Sequence, residues 1–371
     1  MGRRVCILTT VHPPFDTRIF HKEAKTLVRA GYDVTLIAQY DGDTMVEGVR
    51  VRGLPKPRNR LSRIFGLTWR AFWLSLRERA DVYHFHDPEL LPIGVMLKLL
   101  TRAKVSYDVH EDVPEQILTK HWIPTFLRRP IAVTFNLAEK LLAKGLDGIV
   151  VATEGIAEKF RRLNPIVIHN CPDLTMLPNP SPAPREGKEK VLVYVGGISR
   201  LRGAFEMIRA LEHLAHIGGL RLDLIGRFDP PELEQELQAL PGYQRARFLG
   251  WMEPEDVYKH LAESDIGLVC LHPKPRFVVA WPVKLFEYMA AGLPVIASNF
   301  PLWKEIVEGN KCGLCVDPLN PKEIAKAIEY LLTHPEEARR MGENGRRAVL
   351  EKYNWEQESE KLLAVYEELL A

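Results

Sequence analysis

The chain has 371 residues, more than one core of about 100–200 residues accommodates, so two domains are expected. Hydrophobic residues supply 46% and charged residues 26%, as in soluble globular proteins, and the formal net charge of +2 excludes a globally basic nucleic-acid binder. Met1–Arg4 run directly into the apolar Val5–Leu8, so no signal peptide is expected, and no apolar run approaches the about 18 residues of a membrane span. Of five scattered cysteines only Cys312 and Cys315 have a CxxC spacing, and no second pair completes a zinc site. A reducing, cytoplasmic setting is expected.

Short apolar runs alternate with amphipathic segments, the pattern of a parallel α/β fold. Val5–Leu8 reads as a buried strand, Ile19–Ala30 as a helix stopped by Gly31, and Val34–Ala38 as the next strand. Strands follow at Val82–Phe85, Val105–Tyr107, Gly148–Ala152 and Val167–His169. Pro172–Lys190 contains five prolines and little periodicity, and is expected to link two domains, residues 1–171 and 191–352. The second begins at Val191–Val195, turns through Gly196-Gly197 and enters a helix near Gly203–Leu214. Further strands are predicted at Leu222–Ile225, Arg247–Leu249, Ile266–Cys270 and Pro294–Ala297, with a long last helix from about Trp355 to Leu370. Two doubly wound units of this kind bind ligands at the carboxyl ends of their strands.

Two segments have the residues for chemistry. Tyr194–Gly203 ends a strand and opens a helix. Gly196, Gly197 and Gly203 would let the backbone approach an anion at a helix N-terminus, with Arg200 and Arg202 as planar cationic clamps. An ordinary tight turn with solvated arginines reads equally well from the spacing. Pro282–Ala297 holds a short helix between Pro282 and Gly292. Lys284 and Glu287 share a face of it, and a carboxylate there suits the paired hydroxyls of a ribose. By spacing alone a surface Lys–Glu pair is the better reading.

The second segment resembles the C-terminal signature of the retaining glycosyltransferases of family 4, which have the two-Rossmann GT-B fold. Asp16-Thr17-Arg18-Ile19-Phe20 with Glu23-Ala24, His84-Phe85-His86-Asp87-Pro88 and Asp108-Val109-His110-Glu111 are similar to the family's N-terminal elements. Tyr353-Asn354-Trp355 precedes what resembles its crossing-back helix, which would add residues 353–371 to the first, acceptor-binding domain. The resemblance implies two Rossmann-like domains facing across a cleft, and sugar transfer from a nucleoside diphosphate with retention. By the same analogy Glu287 holds the ribose. The backbone around Pro282, Val283 and Lys284 faces diphosphate or sugar, and His110 bonds the transferred sugar. Arg200, Arg202 and the helix start at Gly203 would stabilise the leaving diphosphate. Asp16, Arg18, His86, Asp87 and Glu111 are the acceptor-side candidates. The donor is expected to be a UDP-sugar or GDP-sugar, with no cofactor and no metal required.

The chain departs from the family at three places. The first glutamate of the family's pair would fall at Val279, the usual phosphate-loop Arg aligns with Gly197, and His12-Pro13-Pro14 stands where a glycine pair is often found. Asp41-Gly42-Asp43 reads as a surface turn rather than a metal motif. His84 and His86 alternate on a strand and, lacking an evident third ligand, read as strand-end residues.

Lys56–Arg79 interleaves seven basic residues with Leu61, Ile64, Phe65, Trp69, Phe72 and Trp73. That pattern fits either an anionic membrane surface or a core helix with basic flanks. His121–Arg129 could extend a membrane-facing surface, and a glycan or lipid-linked acceptor used at the inner face of the membrane would follow. The expected function is therefore a retaining glycosyltransferase in surface polysaccharide or glycolipid synthesis. The alternatives are a nucleotide-sugar 2-epimerase and a catalytically inactive sugar- or partner-binding protein of the same fold.

Overall fold

The computed structural model describes residues 2–120, 123–176 and 189–371. The chain divides into two units, one of Met1–Asn170 with Trp355–Ala371 and one of Cys171–Asn354. Much of the proline-rich segment expected as a linker, together with His121 and Trp122, lies outside the described residues.

The first unit is built on eight strands: β1 (Arg4–Leu8), β2 (Asp33–Gln39), β3 (Thr44–Val46), β4 (Val49–Leu54), β5 (Val82–Phe85), β6 (Lys104–Val109), β7 (Gly148–Val151) and β8 (Ile166–Val167). They lie in the order β3-β4-β2-β1-β5-β6-β7-β8, all parallel except the hairpin strand β3. Val5, Cys6, Ile7 and Leu8 are all buried, as a parallel strand covered on both faces requires. The β3–β4 hairpin was not expected. It turns on Glu47 and Gly48, both at positive φ (48° and 83°), and buries Val49 and Val51. Asp43, in the turn expected on the surface, accepts from Arg52 at 2.6 Å and from the Gly53 N–H at 3.1 Å.

The first helix begins two residues earlier than expected. It runs over Thr17–Ala24 and Lys25–Arg29 because the Asp16 carboxylate accepts the N–H groups of Arg18 (2.8 Å) and Ile19 (3.0 Å). The last helix, Trp355–Leu370, returns to this unit and buries Trp355, Leu362, Val365, Tyr366 and Leu369 against Val5, Ile7, Phe20 and Val34. Polar bonds pin it. Trp355 Nε1–H donates to Thr26 Oγ1 at 2.9 Å, and Glu358 accepts the His169 N–H at 2.8 Å while bonding Lys361 at 2.8 Å.

The second unit has six parallel strands: β9 (Lys190–Val195), β10 (Leu220–Ile225), β11 (Ala246–Gly250), β12 (Ile266–Val269), β13 (Val295–Ser298) and β14 (Gly313–Val316). Their order is β11-β10-β9-β12-β13-β14, the dinucleotide-fold order with its reversal between β9 and β12. Strand β14 was not expected, because its short GLCV run overlaps the CxxC spacing. Cys312 is buried just before it with its thiol against the carbonyls of Ile306 and Val307, so this pair is part of the packing.

Burial opposes ionisation of Glu358, but its bonds to His169 and Lys361 prevail and hold its carboxyl below the usual range. Its contribution to stability is therefore present above the ordinary glutamate pKa of about 4.3 and is lost as the pH falls through the lower folded value. Glu358→Ala is expected to destabilise by about 1–3 kcal/mol at neutral pH, the scale of a lost charged hydrogen bond, and progressively less in acid. Denaturant unfolding of both proteins at pH 7 and pH 3 measures this.

Candidate functional site

Doubly wound sheets gather ligands where the strand order reverses, because loops diverge there and open a crevice beyond the strand ends. Each unit places a cluster of reactive side chains at that point.

In the second unit the reversal lies between β9 and β12. Gly196 leaves β9 at φ 119°, a conformation side chains rarely adopt, and an added Cβ would lie 3.0 Å from Lys284 Nζ. Tyr194 fixes the turn by donating its hydroxyl to the Gly197 carbonyl at 2.7 Å, and the Val195 N–H donates to Tyr288 Oη at 2.7 Å. The chain then makes a single 3-10 turn, Arg200–Arg202, before the helix Ala204–His213 starts at Gly203. Gly203 has φ 77° and passes so close to Cys270 that a Cβ would sit 2.0 Å from its carbonyl oxygen. Only glycine permits that helix start, whose dipole favours an anion.

Two cations meet at this turn. The helix Val283–Ala290 buries Lys284, whose Nζ lies 3.7 Å from the centroid of the Tyr194 ring. Among the described residues Nζ has no hydrogen-bond partner. Burial and the neighbouring Arg202 charge push this amine well below the usual lysine range. Arg202 Nη1 lies 3.6 Å from where a Cβ of Gly196 or Gly197 would stand. Arg200 takes a different course: it pairs with Glu236, and its guanidinium carbon lies 4.2 Å from the Phe205 ring centroid. The residues brought together at the glycine turn are thus Arg202 and the Lys284 side chain, whereas the sequence suggested Arg200, Arg202 and the Lys284 backbone. Glu287 is half-buried, three residues after Lys284 in the middle of the same helix, which Pro282 caps and Val283 begins. Val279 is 46% exposed.

In the first unit the reversal lies between β1 and β5. Asp87, after β5, accepts from Thr9 Oγ1 (2.9 Å), the Thr10 N–H (2.5 Å) and the Val11 N–H (3.2 Å), so it shapes the loop that follows β1. That loop delivers His12, whose Nε2 is 3.0 Å from His110 Nε2, at the end of β6. Asp16 combines its helix cap with a position 3.6 Å from His12 Nδ1. Glu111 is exposed and bonds Gln116 at 2.7 Å.

Behind these residues lies a buried charge network. Arg18 is 4% exposed and bonds Asp108 at 2.7 Å and Glu23 at 2.9 Å. It therefore organises this cluster from within, while His110 and His12 stand at its partly exposed edge. His84 and His86 do face one way, their rings stacked 5.0 Å apart, and they converge with Glu23 and Asp108 so that one ligand atom from each lies within 4.8 Å of the others. The expectation that no further ligand-type groups join the two histidines is thus corrected: β6 and the first helix supply two carboxylates. No metal centre is assigned to them, because the Arg18 guanidinium already bonds both carboxylates. Burial holds His84 at about 4 and His86 well below its usual range, so both rings are neutral at pH 7. Burial, then the Asp108 charge, pushes Glu23 upward. Burial also opposes ionisation of Asp108, but Arg18 more than reverses it.

His12 and Glu23 join these clusters although the sequence reading gave neither of them a role. His12 reads as part of a His-Pro-Pro loop, and its partner is 98 residues away.

Comparison with known proteins agrees with this geometry. Residues 179–348 match the family model described as glycosyl transferases group 1, and residues 17–171 match the glycosyl transferase 4-like domain. The chain is 26% identical over 336 residues to the MMP alpha-(1->4)-mannosyltransferase of Mycolicibacterium hassiacum, covering 86% of this chain and 77% of that protein. In fold it is similar to sucrose-phosphate synthase from Thermosynechococcus elongatus (TM-score 0.78, 19% identity, 99% of each chain). It is also similar to HepE of Anabaena in complex with UDP (TM-score 0.72, 15% identity, 99% of this chain and 100% of that one).

An anion bound at the glycine turn would oppose the burial and the Arg202 charge that depress the Lys284 amine, and so favour its protonated form. Calorimetry with a nucleoside diphosphate in buffers of different ionisation enthalpy is therefore expected to show proton uptake on binding. The uptake should shrink as the pH is lowered and disappear in Lys284→Met.

Proposed function

The chain belongs to the group 1 glycosyltransferases and is a nucleotide-sugar-dependent enzyme of the GT-B fold, and on that premise we propose a retaining transfer from a UDP-sugar or GDP-sugar to the hydroxyl of a glycan or lipid-linked acceptor in surface polysaccharide or glycolipid synthesis. The observation that carries this reading is the buried Lys284 Nζ, which has no hydrogen-bond partner among the described residues, beside Arg202 at the Gly196-Gly197 turn. Two basic side chains that make no ion pair among the described residues, at the positive end of a helix dipole, suit a diphosphate. Glu287, three residues on, accepts the ribose hydroxyls.

As the glycosidic bond breaks, negative charge grows on the β-phosphate, where Arg202, Lys284 and the helix start at Gly203 stabilise it. The acceptor oxygen bonds to the anomeric carbon on the face the diphosphate leaves, and its proton passes to the departing phosphate oxygen. Retention then needs no protein nucleophile. On the acceptor side His110 hydrogen-bonds the transferred sugar, while Asp16 and Asp87 hold the loop that presents His12. Val279 supplies no carboxylate to the donor sugar, so the Pro282–Lys284 segment would read its hydroxyls.

A lipid-linked acceptor is favoured by the surface of the first unit. The helix Thr68–Glu78 buries Ala71, Phe72 and Ser75 but exposes Trp69 and Trp73, with Leu61 and Phe65 exposed just ahead of it. Lys56, Arg58, Arg60, Arg70 and Arg77 are exposed on the same segment. Leu99 and Leu100, and Phe126, Val133, Leu137 and Leu141 of the helix Thr125–Ala143, are exposed on neighbouring helices. A basic, aromatic, apolar surface of this kind suits an anionic bilayer.

Titration with UDP, GDP, ADP and CMP is expected to single out one diphosphate, with affinity lowered by about 1–3 kcal/mol in Glu287→Ala. Equal binding by the variant, or no nucleotide binding, would sink the donor-site assignment. In vesicle flotation the protein should rise with anionic vesicles and less with neutral ones. Trp69→Ala combined with Trp73→Ala should abolish that flotation while leaving nucleotide affinity unchanged.

A further inference from the structure

Two imidazoles in direct contact must divide their protons so that one nitrogen donates and the other accepts. The Nε2 atoms of His12 and His110 are 3.0 Å apart, their rings edge-on with centroids 4.8 Å apart. Each outer nitrogen faces a carboxylate: His12 Nδ1 is 3.6 Å from Asp16 Oδ2, and His110 Nδ1 is 3.7 Å from Asp108 Oδ1. Both Nδ1 positions are therefore best protonated. If both rings were neutral, their Nε2 atoms would then be bare, and two lone pairs would meet at hydrogen-bond distance. One additional proton removes the conflict. Asp87 Oδ1, 3.6 Å from His12 Nε2, places it on His12.

We infer that His12 and His110 form a single imidazolium–imidazole unit, with His12 as the cation donating from Nε2 to His110 Nε2, so that His12 is the positioning residue of the acceptor-side histidine. The role in transfer rests on the glycosyltransferase reading above; the shared proton does not. Four carboxylates face the pair or stand close by. They come from separate elements: Asp16 at the first helix, Asp87 after β5, Asp108 at the end of β6 and Glu111 just beyond it. The cations are fewer, because Arg18 is bound to Asp108 and Glu23, and the His86 ring, 5.7 Å from His110, is neutral. Burial of His12 opposes the charge, and Asp16 and Asp87 outweigh it, so the ring keeps its proton above the usual histidine range. With a donor on one side and Asp108 on the other, the His110 ring is held in one tautomer and one orientation.

Nitrogen-15 NMR of the histidine rings in the full chain tests the pair directly. In the wild-type protein the His12 ring should keep its proton above the ordinary value of about 6.5, and the two Nε2 atoms should show a scalar coupling across their hydrogen bond, with His110 fixed as the Nδ1-protonated tautomer. In His12→Gln that coupling is lost and the His110 nitrogens should move toward the averaged shifts of two exchanging tautomers. His12→Asn repeats the measurement should the glutamine variant fail to fold. Absence of the Nε2–Nε2 coupling, or a His110 tautomer unchanged by the substitution, overturns the proposal. Once a donor and acceptor are in hand, His12→Gln should lower kcat about ten-fold, the scale of one hydrogen bond, and move its pH limb while the donor KM stays constant. Unchanged kcat at every pH overturns the positioning role. A wild-type protein that turns over no nucleotide sugar yet shows the Nε2–Nε2 coupling would count against the glycosyltransferase reading alone.

Discussion

The Arg18 guanidinium pairs with two carboxylates, Asp108 and Glu23, that are sealed from water at the carboxyl edge of the first sheet. Removing one partner from such a network leaves a buried charge without compensation, which is far costlier than the network's net contribution to stability. Much follows from that guanidinium. It keeps Asp108 ionised, and an ionised Asp108 in turn orients the His110 ring. It leaves His84 and His86 as neutral filler, His84 bonding the Tyr366 hydroxyl at 2.7 Å through Nδ1. The second unit is arranged in the opposite way. There Lys284 is buried without an ion-pair partner among the described residues, and Arg202 stands beside it. One unit pairs its buried charges internally, whereas the other buries a basic side chain that no described acidic group pairs with.

The strand framework was legible because parallel strands covered on both faces read as continuous apolar runs, as Val5–Leu8 and Ile266–Val269 do. The elements that escaped are those where that rule fails. Strand β4 alternates buried valines with Arg50 and Arg52, and β14 is four residues with two of them only partly buried. The glycine turn was legible as a place, through Gly196, Gly197 and Gly203. Which cation reaches it was not, because the 3-10 turn sends Arg200 to Glu236, and the helix phase that buries Lys284 depends on packing. The pairing of His12 with His110 and the convergence of Glu23 on His86 join segments far apart in the chain, and no local pattern encodes such contacts.

Glycine at 196 and 203 shows how closely chemistry and backbone are tied here. At both positions φ is positive and an added Cβ would meet either the Lys284 amine or the Cys270 carbonyl. The turn can therefore come near an anion only because side chains are absent from it, and the cations arrive from neighbouring segments. Lys284 approaches from a helix some ninety residues away in the chain, and the Tyr194 ring beneath it replaces part of the water it has lost.

The helix Trp355–Leu370 completes the core of the first unit, yet it is encoded after the whole of the second. During synthesis, the residues up to Asn170 emerge without Trp355, Leu362, Tyr366 and Leu369, and with the His84 ring lacking its hydroxyl partner. The second unit, continuous from Cys171 to Asn354, can finish folding while the first is still waiting for its closing element. Vectorial assembly of this chain thus runs out of numerical order, and the reactive edge bearing His12 and His110 acquires its full support last.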